Sequence, residues 1–97
     1  MSSKTAVVIL NWNGKNFLEE FLPTLINNTS NADIIVADNQ SIDDSVVFLE
    51  TNFPDVQTII NAENGGFAKG YNDALKQIEG KYEYYVLINS DIEVVSN

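Results

Sequence analysis

Cysteine and histidine are both absent from the 97 residues. The first absence excludes disulfides, thiolate catalysis and Cys-based zinc sites. The second removes the usual acid/base group of neutral pH and the commonest transition-metal ligand. Basic residues are scarce too: 5 Lys+Arg stand against 14 Asp+Glu, a net charge of −9. That balance argues against nucleic acid and anionic membrane as partners, since both require clustered basic side chains. It also constrains any anionic ligand, which is repelled unless a divalent cation bridges it to the protein. No apolar run approaches the roughly 20 residues of a membrane span. The opening Met1-Ser2-Ser3-Lys4 runs into a short apolar stretch with no small-residue cleavage site, so a cytoplasmic location is expected.

What is present suits one domain, 1–97, because independent domains cluster at roughly 100–150 residues. Hydrophobic residues make up 44% and aromatics 10%, enough for a core and too much for a disordered chain. Residues 6–10 (AVVIL), 34–37 (IIVA), 56–60 (VQTII) and 84–88 (YYVLI) are short and almost continuously apolar. Such runs predict strands buried on both faces, as in a parallel sheet.

Three stretches with helical spacing separate them. The first, 16–28, carries Phe17, Leu18, Phe21, Leu22 and Leu25 on one stripe, and Pro23 is expected to kink or split it. The second opens on Ser41-Ile42-Asp43-Asp44, read as an N-cap with an acid three positions on, and its stripe is Ile42, Val46, Leu49 and Phe53. The third places Phe67, Tyr71, Ala74, Leu75 and Ile78 together, with Gly80 as its C-terminal stop. The order β-α-β-α-β-α-β with short connections gives an open, three-layer α/β sheet of about four parallel strands with helices on both faces.

Ligands of such sheets bind beyond the carboxyl ends of the strands. Here those ends are Asn11-Trp12-Asn13-Gly14, Asp38-Asn39-Gln40-Ser41, residues 61–66 (NAENGG) and Asn89-Ser90-Asp91-Ile92-Glu93. Asp38 has two readings, an acceptor for a ribose hydroxyl or base N–H, or a local turn and cap for the next helix. Gly65-Gly66 offers helix N-terminal amides to an anion, or simply a tight turn; the Gly-Lys-[Ser/Thr] of a P-loop is missing. Asn89, Asp91 and Glu93 alternate toward one side, a set of oxygens suited to Mg²⁺ or Mn²⁺, or else an ordinary acidic turn. Trp12 has two readings, the wall of a pocket or, preferred for a lone Trp, a packing residue, and Tyr82, Tyr84 and Tyr85 are read as core and sheet surface.

Residues 7–14 (VVILNWNG), 34–45 (IIVADNQSIDDS), 61–72 (NAENGGFAKGYN) and 86–94 (VLINSDIEV) together resemble the N-terminal part of a family 2 glycosyltransferase. Within that family the chain resembles the rhamnosyltransferase-like enzymes that build bacterial surface polysaccharides. The resemblance implies a GT-A-type, Rossmann-like fold with strand order 3-2-1-4, and transfer of a sugar with inversion from a nucleoside-diphosphate sugar to an acceptor hydroxyl. It implies that Asn11 and Asn13 line the nucleotide pocket and that Asp38 bonds a pyrimidine base, as in UDP- or dTDP-sugars. It further implies that Asn64, Gly65, Gly66, Lys69 and Asn72 close over the nucleotide. Asn89-Ser90-Asp91 falls on the family's D-x-D, with Asn89 replacing the first acid, so Mg²⁺ or Mn²⁺ falls to Asp91.

In such enzymes the carbohydrate or lipid-linked acceptor site and the general base lie further along the chain. No catalytic residue is therefore assigned within 1–97, and this stretch by itself is expected to be inactive. The enzyme's expected place is the cytoplasm, at the inner face of the membrane. By the same topology the fourth strand is an open margin, inviting an edge-strand homodimer. The competing readings are a non-catalytic nucleotide-binding or assembly module and, less well matched, a receiver-like signalling domain, whose paired acids after the first strand are missing here.

Overall fold

A computed structural model describes residues 5–29, 31–62 and 66–90, the side chain of Phe67 excepted. In chain order the elements are β1 (Thr5–Asn11), α1 (Lys15–Asn28), β2 (Ala32–Asp38), α2 (Ser45–Asn52), β3 (Gln57–Ile60), α3 (Gly66–Ile78) and β4 (Tyr84–Asn89). The four strands pair in the order β3-β2-β1-β4, all parallel. The expected fold class and strand order are both present.

Alternation along the strands sends side chains to two separate cores. Ala6, Val8 and Leu10 of β1, with Ile35 and Ala37 of β2 and Ile59 of β3, pack against Ala74 and Ile78 of α3. Val7, Ile9 and Val36 pack on the other face against Leu18 and Leu22 of α1 and Leu49 of α2. The sheet is thus the middle of three layers. No described helix is long and apolar enough to cross a membrane.

Several details differ from the sequence expectation. β1 and β2 are buried on both faces, but β3 and β4, at the margins of the described sheet, are not. Tyr84, Val86 and Leu87 remain exposed because neither α1 nor α3 reaches over β4 fully. Pro23 does not split α1, which runs unbroken from Lys15 to Asn28. α2 starts at Ser45, four positions beyond the expected cap, leaving Ile42 89% exposed in the preceding loop. Ser41 fails to cap it because its hydroxyl is bonded to Asp38. At the end of α3, Gly80 adopts φ +82 and the amide of Lys81 donates to Ile78 O, the stop expected there.

Candidate functional site

The parallel ladder continues one residue past β2, β3 and β4. Asn39 N donates to Asn11 O, Asn61 N to Asp38 O, and Ser90 N to Leu10 O, at 2.8–3.0 Å. Polar side chains are thereby brought level along the carboxyl edge of the sheet, and the same alternation that built two cores sorts them onto two faces.

On the α1/α2 face, Asn11 and Asp38 are side by side in register. Asn11 Nδ2 donates to Asp38 Oδ1 at 3.0 Å and to Ser41 Oγ at 3.3 Å. Ser41 Oγ donates to Asp38 Oδ1 at 2.6 Å, and its amide donates to Asp38 Oδ2 at 2.9 Å. Asp38 is therefore an acceptor for its own turn; the reading as a local turn residue holds, whatever else it binds. Ser90 Oγ completes the row by donating to Asn11 Oδ1 at 2.8 Å.

Asn13, at φ 52, ties the first loop to the second. Its amide donates to Ser41 Oγ at 2.8 Å, and its Oδ1 accepts from the amides of Ile42 and Asp43 at 2.8 and 3.2 Å. Asp43 answers by accepting from the Lys15 amide at 3.2 Å and from the amide and hydroxyl of Ser45. Partial burial of Asp43 opposes its ionisation, but these bonds and the nearby Lys15 ammonium outweigh it and hold the carboxyl below its ordinary value.

On the α3 face, Asn61 Nδ2 donates to Asn39 Oδ1 at 3.1 Å and to Gly70 O at 3.2 Å, while Asn39 Nδ2 donates to Gly66 O at 3.4 Å. These amides fasten the start of α3 to the ends of β2 and β3. Gly70 permits this approach, since a Cβ there would stand 2.8 Å from Leu10 Cδ1. Gly66 opens α3 at φ +88, with Lys69 one turn on in an ion pair with Asp73 at 3.0 Å and Asn72 exposed. Asn89 ends β4 opposite Leu10, on this same α3 face. Of the residues expected to form the site, Asn11, Asn13 and Asp38 thus gather in one cluster, and Gly66, Lys69, Asn72 and Asn89 lie across the sheet edge from it. Asn64, Gly65, Asp91 and Glu93 fall outside the described residues.

Trp12 is 46% exposed at the first strand end, which corrects its reading as a packing residue. Tyr82 and Tyr85 do pack against the α3-side core. Sequence reasoning passed over Ser41, Ser90, Asn39 and Asn61 as site-builders, although all four lie in the strand-end segments. Their signal was present as polar composition; it did not show which amide or hydroxyl finds which partner. Among the described residues no group of three or more acidic side chains could hold a metal ion. All five basic residues are lysines, so no guanidinium is available to clamp a phosphate.

Against known proteins, the pattern of the family described as Glycosyl transferase family 2 matches residues 6–97. No curated protein sequence matches significantly. Solved structures do. Staphylococcus aureus TarS superposes with a TM-score of 0.74 at 23% identity, over 91% of this chain and 16% of that one. TarS 1-349 in complex with UDP-GlcNAc gives 0.72 at 24% identity, over 91% and 26%. The mannosyltransferase PcManGT from Pyrobaculum calidifontis, in complex with GDP-Man and Mn²⁺, gives 0.61 at 21% identity, over 79% and 25%. The chain thus spans about a quarter or less of the length of these structures. The likeness shows a shared GT-A fold. Because the family pattern runs through all four strands and their polar ends, this chain belongs to glycosyl transferase family 2.

Proposed function

We propose that this chain is the donor-binding part of a glycosyltransferase that moves a sugar, with inversion, from a UDP- or dTDP-sugar to an acceptor hydroxyl in polysaccharide or glycoconjugate synthesis. The observation that carries the reading is the family match along residues 6–97, which takes in every strand-end segment. Two of the similar structures were solved with UDP-GlcNAc or with GDP-Man and Mn²⁺, which supports a nucleotide-sugar ligand here. The rhamnosyltransferase-like subgroup and a cytoplasmic, membrane-facing location belong to the same reading.

The nucleotide would lie over the strand ends, between the Asn13–Ser41 loops and the start of α3. A carboxylate has about four acceptor positions. Asp38 fills three of them internally, leaving one for a base N–H or ribose hydroxyl. Asp38 is buried, so that contact requires the Ser41 turn to give way slightly. Gly66, Lys69 and Asn72, with Asn64 and Gly65, would flank the phosphates from the α3 side, and Asn89 the sugar side. Mg²⁺ commonly binds through one or two carboxylates plus substrate phosphates rather than an all-protein cage. A site with Asp91 as its principal protein ligand fits that chemistry and the lack of an acidic cluster among the described residues. The ion would neutralise charge on the diphosphate.

A thermal melting screen against UDP, dTDP, CDP and GDP with Mn²⁺ tests the base assignment, since a ligand that binds only the folded form raises the midpoint. The expected result is larger shifts with pyrimidine nucleotides than with GDP, and loss of that preference in Asp38→Ala. Equal shifts with all four contradict it.

A further inference from the structure

Asp38 is 1% exposed although it ends a strand at the carboxyl edge of the sheet. Its own turn helps to cover it. Ser41 Oγ donates to Oδ1 at 2.6 Å and Ser41 N to Oδ2 at 2.9 Å, while Asn11 Nδ2 supplies a third bond at 3.0 Å. Asn11 is fixed by β1, whereas Ser41 lies in the connection between β2 and α2. Both flanks of that connection are pinned. Asn39 donates through its amide to Asn11 O and through its side chain to Gly66 O. Asn13 Oδ1 holds the amides of Ile42 and Asp43. Backbone freedom is thereby confined to Gln40 and Ser41. Gln40 sits at φ 63, a left-handed conformation that is costly for a residue with a side chain and persists only where its surroundings impose it. The imposing bonds are those of Ser41 to Asp38 and of Gln40 Nε2 to Asn61 O. Return of Gln40 to negative φ relieves the strain and turns Ser41 away from the carboxylate. Ile42, next in the chain, is 89% exposed, so its side chain leaves no core when the turn moves.

We propose that Ser41 is an internal competitor at Asp38. The Gln40–Ser41 turn closes over the carboxylate when the site is empty, and a base N–H or sugar hydroxyl of the ligand displaces it. The identity of the ligand rests on the donor-site reading above; the strained, closed turn does not. The exchange is one donor for another. The Ser41 hydroxyl leaves Oδ1 for water and the ligand's donor takes its place, so the buried carboxylate is not left short of a partner, which is the costly outcome. Asn11 keeps its bond throughout and holds Asp38 in place. A ligand without a donor at that point has nothing to offer in exchange and leaves the turn closed. The turn therefore sets a threshold: apparent affinity is the intrinsic affinity reduced by the fraction of time that the site stands open.

Two measurements on the 97-residue chain test this. The first needs neither ligand nor variant: hydrogen exchange of the wild type, read by NMR. The Ser41 amide, bonded to Asp38, should exchange at least about tenfold faster than the Asn39 and Asn61 amides of the sheet ladder, because the turn opens while the sheet stays folded. Equal protection at all three would make the turn a rigid part of the fold and overturn the proposal. The second is calorimetric titration of UDP in the presence of Mn²⁺. Ser41→Ala should lower the melting midpoint and yet bind UDP roughly threefold or more tightly, since a turn that closes less often takes less from the affinity. A purely structural Ser41 predicts the opposite sign, with stability and affinity falling together. Ser41→Thr, which keeps the hydroxyl, should return affinity to the wild-type value. In an Asp38→Asn background, Ser41→Ala should bring no gain. Unchanged or weaker binding by Ser41→Ala, or a gain that survives in Asp38→Asn, contradicts the proposal. If neither wild type nor Ser41→Ala binds UDP, the donor-site reading fails, while the exchange rates still decide whether the turn opens.

Discussion

At position 14 the missing side chain lets the first loop settle onto the Asn11–Ser90 bond. Gly14→Ala should cost about 1–3 kcal/mol, as overpacking of a filled site does. For a domain of this size each kcal/mol lowers the midpoint by roughly 4–8 °C. An unchanged midpoint in a melting scan would mean that the loop moves aside freely. At the opposite end of the sheet, Tyr82 donates its hydroxyl to Asp33 Oδ2 at 2.6 Å. That bond, with burial and the Asp33 charge, pushes the phenol up to about 12. A raised acid group stabilises the fold fully below its unfolded value, about 10, and loses that contribution as pH climbs through about 12. Chemical denaturation at pH 9 and pH 12 should therefore show a steeper alkaline loss for wild type than for Tyr82→Phe. Equal slopes would remove Tyr82 from the account. Neither feature was legible in the sequence, and the polar row was legible only as composition. Ser90 meets Asn11 across 79 positions and Asn11 meets Asp38 across 27, so partner choice is decided by the sheet.

Elements were easier to read because their signals are local. The four apolar runs became the four strands, and the stripes became three helices. The start of α2 was misplaced for a specific reason: a Ser followed by an acid three positions on looks like a cap, but Asp38 claims the Ser41 hydroxyl first. The uneven burial of β4 was also illegible, since a run such as YYVLI reads the same at the centre of a sheet and at its margin. In register with Thr5, Val7 and Ile9, the side chains of Tyr84, Val86 and Ile88 face the α1 side, and Tyr84 and Val86 are 63% and 47% exposed there. Beside them an apolar hollow of about 240 Å³ is lined by Phe17, Phe21, Leu25 and Ile88. An uncharged, exposed margin strand pairs readily with another copy. Sedimentation of the 97-residue chain at high micromolar concentration should show self-association that Val86→Lys abolishes. A strictly monomeric wild type would count against it.

For the molecule as a whole, charge decides how the proposed anionic donor would have to be held. A nucleoside diphosphate approaching a chain of net charge −9 is repelled, and the lysines that could offset this are few and partly paired, as Lys15 is with Glu19 and Lys69 with Asp73. A divalent cation removes the repulsion where it is largest. The balance of 14 acids to 5 bases was plain from the sequence, as was the Asn89-Ser90-Asp91 segment at the end of the last strand. The central claim is a metal-dependent donor site centred on Asp91. Calorimetric titration of UDP into the wild-type chain and into Asp91→Ala, each with Mn²⁺ and again with EDTA, tests it most directly. The account predicts wild-type affinity at least about tenfold higher with Mn²⁺, a difference of about 1.4 kcal/mol, and no such gain in Asp91→Ala. Equal wild-type affinity under both conditions, or an undiminished Mn²⁺ gain in Asp91→Ala, would contradict it.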